Sequence, residues 1–145
     1  MRVMTDGGAR PILSRATSRM VKPSRIYQTA YQDFLKGRYE MAIAEFQQFV
    51  TDYPTHPLTP QAYYYLGESY LAKGLTQAAG RAWTTVIRRY PHSRPVPAVL
   101  YKLGRLLLQI GRAQEARRVW TVLIKKFRGS PEAKLAAQQL ERLFP

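Results

Sequence analysis

Ala79-Gly80-Arg81-Ala82-Trp83 has two echoes at equal distance. Ala42-Ile43-Ala44-Glu45-Phe46 stands 37 residues before it and Ala116-Arg117-Arg118-Val119-Trp120 stands 37 residues after it. Each reads alanine, three variable residues, then Phe or Trp. A small residue one helical turn before a large ring lets a neighbouring helix approach closely while the ring fills the space beside it. One such pattern is noise, but three at a constant interval are an internal repeat.

The second copy shows the repeat most clearly. Tyr63, Leu66, Gly67 and Tyr70 fall on one face of a first helix, which Lys73-Gly74 ends, Gly74 being suited to a left-handed C-terminal position. Ala79, Trp83 and Val86 face inward from a second helix, closed by Tyr90-Pro91. The third copy matches with Leu100, Leu103, Gly104, Leu107, Gly111, Ala116, Trp120, Leu123 and Phe127. The first is read as Tyr27, Ala30, Tyr31, Phe34, Gly37, Ala42, Phe46, Phe49 and Tyr53-Pro54, one residue shorter before its glycine, with Tyr31 where the others have Gly67 and Gly104.

This order of residues resembles the tetratricopeptide repeat over about residues 26 to 143. The period of 37 exceeds the family's roughly 34, with the extra residues in the Pro-containing turns 55–60 and 92–97. The resemblance implies an all-α, right-handed superhelical solenoid of three helix pairs and a C-terminal capping helix. Helices are expected near 25–36, 39–52, 60–73, 76–90, 97–110, 113–127 and 131–143, with repeats over 25–59, 60–96 and 97–130. Ser130 is a good N-cap for the last helix and Pro131 a good first helical residue.

Residues 1–24 read as a basic tail without regular structure, interrupted by Gly7-Gly8, Pro11 and Pro23, and residues 25–145 as one repeat domain. No apolar h-region marks a secretory signal, and no apolar run reaches the roughly 18 residues of a membrane span. There is no cysteine, hence no disulfide framework and no thiolate metal site. The formal net charge is +14, and after the basic tail it increases along the repeats, so that the C-terminal end is much more basic than the first repeat.

No catalytic constellation is visible, and the chain is not expected to be an enzyme or to hold a cofactor or a metal. His56 and His92 lie in the inter-repeat turns and read as solvated loop residues. The tetratricopeptide resemblance implies a concave groove lined by the first helices. Its contact positions project onto Gln28, Gln32 and Leu35, then Tyr64, Glu68 and Leu71, then Tyr101, Arg105, Leu108 and Gln109. Such tyrosines and leucines suit a partner peptide or helix. The second helices repeat their cations: Arg81, Arg88 and Arg89 recur as Arg118, Lys125 and Lys126, with Arg117 added. This basic outer stripe suits a polyanion, whether RNA or an anionic membrane surface.

The Tyr-Pro closures, the run from Tyr63 to Tyr70 and the Ser130-Pro131-Glu132-Ala133 helix start narrow the resemblance. They look like the C-terminal repeat domain of the Tol-Pal accessory family YbgF (CpoB) and, more weakly, the outer-membrane assembly lipoprotein family BamD. The first resemblance implies a periplasmic, non-catalytic protein that binds the Tol system and a peptidoglycan synthase during envelope constriction. The second implies a docking protein for outer-membrane protein precursors. The expected function is therefore protein–protein interaction in the bacterial envelope. A cytoplasmic adaptor or scaffold binding polyanions through the stripe and the tail is the alternative.

Overall fold

The computed structural model describes residues 4–6, 10–12 and 21–145. It divides into two compact units, Met1–Ala82 and Trp83–Pro145, the division falling inside one helix. The first unit opens with two short strands, β1 (Met4–Asp6) and β2 (Arg10–Ile12), paired antiparallel with Thr5 opposite Pro11. The expectation of a tail without regular structure is thus corrected at these six residues: two extended runs flank Gly7-Gly8, a hairpin signal. The remainder of 1–20 lies outside the described residues. Three helices follow, α1 (Pro23–Leu35), α2 (Tyr39–Asp52) and α3 (Thr59–Ala72), then the first half of α4 (Thr76–Arg89). The second unit takes up the rest of α4, then α5 (Val96–Gln109), α6 (Ala113–Lys126) and α7 (Pro131–Leu143).

Backbone devices recur at a constant interval. Pro23, Pro60 and Pro97 stand at the starts of α1, α3 and α5, where a missing N–H costs nothing. Gly37, Gly74 and Gly111 end the same helices with φ of 76°, 78° and 82°, a conformation that favours glycine. Each supports the same pair of bonds. Arg38 N–H donates to Asp33 C=O at 2.8 Å, Leu75 to Tyr70 at 2.9 Å and Arg112 to Leu107 at 2.8 Å, while each glycine N–H donates three residues back. These are Schellman caps, which satisfy carbonyls the helix end would otherwise leave unpaired.

The caps fix the register and correct the first repeat. The interval is 37 throughout, so no residue is missing before Gly37. Ala30, not Tyr31, occupies the position of Gly67 and Gly104. Tyr27, Tyr31 and Phe34 stand at the positions of Tyr64, Glu68 and Leu71.

The repeated A-x-x-x-(Phe/Trp) motif is the core. Ala42, Phe46, Ala79, Trp83, Ala116 and Trp120 are all fully buried. In the second unit the Trp120 indole lies on Gly104: a Cβ there would overlap Trp120 Nε1. The indole N–H donates to the Tyr101 carbonyl at 3.2 Å and the Tyr101 ring stacks on it at 5.7 Å. In the first unit Phe46 and Ala30 share one buried cluster with Ile26, Phe49 and Leu66. Ser130 caps α7 as expected, its hydroxyl accepting from Ala133 N–H at 3.1 Å. α7 packs on α5 and α6 and buries Ala133 and Ala136.

Candidate functional site

The first helices of each pair carry the candidate surface. In the first unit, α1 and α3 lie side by side. Tyr27, Tyr31 and Phe34 follow one another along α1, with successive rings stacked at 6.3 and 6.4 Å. Tyr65 reaches across from α3 and meets Tyr31 at 4.9 Å and Phe34 at 5.1 Å, and Tyr64 stands edge-on to Tyr65 at 5.0 Å. Rings at these separations attract through their quadrupoles in addition to burying area. Burial, with the neighbouring phenols, pushes the Tyr27 phenol far above its ordinary value. Tyr65 is raised by burial first and then by its hydrogen bond with Tyr31.

The sequence-derived residues fall around this ladder. Gln28, Gln32 and Leu35 are exposed and lie about 100° round α1 from Tyr27, Tyr31 and Phe34, a displacement of one helical residue. Leu35 is 56% exposed. On α3, Tyr64, Glu68 and Leu71 are half-buried in one row. In the second unit, Arg105 and Gln109 are exposed, while Tyr101 and Leu108 are half-buried on α5. Tyr101 also covers Trp120, so it belongs partly to the core. Tyr27, Tyr31, Phe34 and Tyr65 were not in the sequence-derived set. The constant spacing of Pro23, Pro60 and Pro97 is the signal that would have found the first three.

His56 differs from the solvated loop residue expected of it. Its ring is half-buried and packs edge-on to Phe49 at 5.4 Å and Tyr53 at 6.4 Å. Its Nδ1 accepts the Leu58 N–H at 3.0 Å, which places the neutral ring's proton on Nε2. The Thr59 hydroxyl donates to the Tyr53 carbonyl in the same turn. His92, by contrast, is exposed. Among the described residues no group of His, Cys, Asp and Glu is placed to hold a metal, and no helix is long and apolar enough to cross a membrane.

The cations of the second helices point outward. Arg81, Arg88 and Arg89 on α4 and Arg117, Arg118, Lys125 and Lys126 on α6 are all exposed. The charge is concentrated in the second unit. Residues 83–145 carry thirteen Lys and Arg against three Glu, whereas residues 21–82 carry six against five Asp and Glu.

Paired helices with repeated caps and a buried small-residue/aromatic motif define a tetratricopeptide-like helical-repeat protein, and solved structures agree. The fold is similar to that of the type III secretion translocator chaperone SycD of Yersinia enterocolitica, with TM-score 0.68 and 18% identity over 91% of this chain and 99% of that one. SycD in complex with a peptide of the translocator YopD matches with TM-score 0.65 and 21% identity over 82% and 86%. PcrH, solved with the chaperone-binding region of PopB, matches with TM-score 0.67 and 16% identity over 90% and 96%. A Podospora anserina protein of kinesin-light-chain type, with nearly identical TPR-like repeats, gives 0.69 and 20% over 90% and 68%. No curated protein sequence is matched. The family model described as YfiO, outer membrane lipoprotein, matches residues 19–144, and the chain belongs to that family.

Proposed function

We propose that this chain is a non-catalytic protein-interaction module of the bacterial cell envelope, of Tol-Pal and cell-division accessory type. It takes a partner peptide or helix on the faces of its first helices. The observation that carries this reading is the partly open aromatic ladder where α1 meets α3. Tyr31, Phe34, Tyr64 and Tyr65 are ordered by one another and still reach solvent. Pre-ordered aromatic side chains lose little entropy when a partner covers them, which is why they dominate interface energetics. Leu71 on α3, with Gln28, Gln32 and Leu35 beside the ladder, would extend the contact in the first unit. Tyr101, Arg105 and Leu108 would supply it in the second. Membership in an outer-membrane lipoprotein family supports a periplasmic setting. The peptide complexes of SycD and PcrH support an extended segment as the occupant.

The test is capture of partners from the envelope fraction by Tyr64→Ala combined with Leu71→Ala. Loss of two contact residues is expected to weaken capture by roughly thirtyfold, with helical content unchanged. Unchanged capture would refute the assignment. Tyr101 is unsuitable for this test, because removing its ring uncovers Trp120.

A further inference from the structure

We propose that the outward face of α6 is a docking surface for the phosphate headgroups of an anionic lipid bilayer. Arg117, Arg118, Lys125 and Lys126 are exposed on this helix, and Val122, 41% exposed, lies between Arg118 and Lys125 on successive turns. The one carboxylate of α6, Glu115, is held by Arg112 in a two-pronged pair of 2.6 and 2.8 Å, which leaves the four cations uncompensated from within the helix. The Arg117 guanidinium lies 5.1 Å from the Phe144 ring beyond α7, which holds it at the surface while leaving its charge.

The fold does not require these charges. Two repeats earlier, the same positions on α2 are Ile43, Ala44, Thr51 and Asp52. Lys125 and Lys126 suit the negative end of the helix dipole, but Arg117 and Arg118 lie in the second turn, where the dipole gives a cation no advantage. Helix formation therefore does not explain the charge of Arg117 and Arg118.

The choice of a bilayer over a nucleic acid rests on the envelope reading and on composition. Single-stranded nucleic-acid surfaces offer open aromatic faces for base stacking, whereas the one aromatic ring here, Phe144, is covered by Arg117. Cations interspersed with exposed aliphatic side chains, here Val122, match the headgroup layer of a membrane.

The test uses the full chain and vesicles of phosphatidylcholine with and without phosphatidylglycerol, read by co-sedimentation at low salt. Binding is expected only with phosphatidylglycerol. Replacing Arg117, Arg118, Lys125 and Lys126 together by Gln should weaken it by about two to three powers of ten, at roughly fivefold per cation. Replacing Arg2, Arg10, Arg15 and Arg19 by Gln should weaken it less. Wild-type binding by the α6 variant overturns the proposal, as does absence of vesicle binding by the native chain. Preferential binding of a single-stranded RNA oligomer, with displacement from vesicles, overturns it in favour of nucleic acid. The protein-interaction reading is measured separately, by partner capture.

Discussion

Ala30 and Phe46 in the first unit, Gly104 and Trp120 in the second, are the same two positions of one repeat filled in complementary ways. Phe is smaller than Trp, and the first unit uses an alanine where the second has a glycine under the indole. The volume of a helix–helix contact is thus held roughly constant while its division between the partners changes, as close packing requires. Outside the core the units diverge. The first invests in aromatic contacts, with rings from α1, α2 and α3 and His56 touching in sequence, and is nearly neutral over 21–82. The second has a leucine-rich α5 and an outer face of arginine and lysine. A shared packing rule leaves the surfaces free to diverge, in aromatic content on the one unit and in positive charge on the other.

The comparison can be broken most directly at its packing pair. Gly104→Ala should destabilise by about 3 kcal/mol, since the new methyl would overlap the Trp120 indole. Ala30→Gly should cost only about 1 kcal/mol. Installing the first unit's pair in the second, Gly104→Ala with Trp120→Phe, should recover more than half of the single-variant loss in urea unfolding. No recovery would show that the two pairs are not equivalent. Trp120→Phe alone should cost about 2 kcal/mol, from lost packing and the lost indole bond to Tyr101. Gly111→Ala and Gly37→Ala should each cost about 1 kcal/mol and by similar amounts, because both glycines have positive φ and open space around them. A large inequality between them would break the equivalence of the caps. His56→Ala should cost about 1 kcal/mol, removing the acceptor for Leu58 N–H and the ring between Phe49 and Tyr53, whereas His92→Ala should be silent.

The aromatic unit also has a signature in alkali. Tyr27 and Tyr65 hold their protons more tightly folded than unfolded. Their contribution to stability is therefore complete below the ordinary phenol value of about 10 and is lost as pH rises above it, until the folded phenols ionise. Absorbance of tyrosinate, compared with that of Tyr27→Phe and Tyr65→Phe, should show these two phenols ionising only above the ordinary phenol value or as the chain unfolds. Ionisation of Tyr27 or Tyr65 at the ordinary phenol value would contradict the packing of the ladder.

The helices were legible because their signals are local. Every expected helix matches an observed one to within two residues at each end, since Pro and Gly mark the boundaries by backbone geometry alone. The register of the first repeat was not legible by side-chain type. Thr29-Ala30 does not look like Leu66-Gly67 or Leu103-Gly104, and Tyr31 offers a false match one residue on. The true signal was the glycine and proline spacing, which obeys the chain's geometry rather than its chemistry. The false match places the expected contact row of α1 on Gln28, Gln32 and Leu35, one residue from Tyr27, Tyr31 and Phe34. The packing of His56 is hidden in the sequence for a related reason: its partners Phe49 and Tyr53 belong to the end of α2, and a turn residue's burial depends on how the chain folds back over it.

The central claim, that the first-helix faces are the interaction surface, is tested most directly by placing a photo-crosslinking residue at Leu71 on α3 and, in a second variant, at Gln47 on the outer face of α2. Both chains would be expressed in the native host and irradiated in living cells. The account predicts discrete adducts with envelope proteins from position 71 and none from position 47. Adducts from position 47 alone, or from neither site while partners still co-purify, would contradict it.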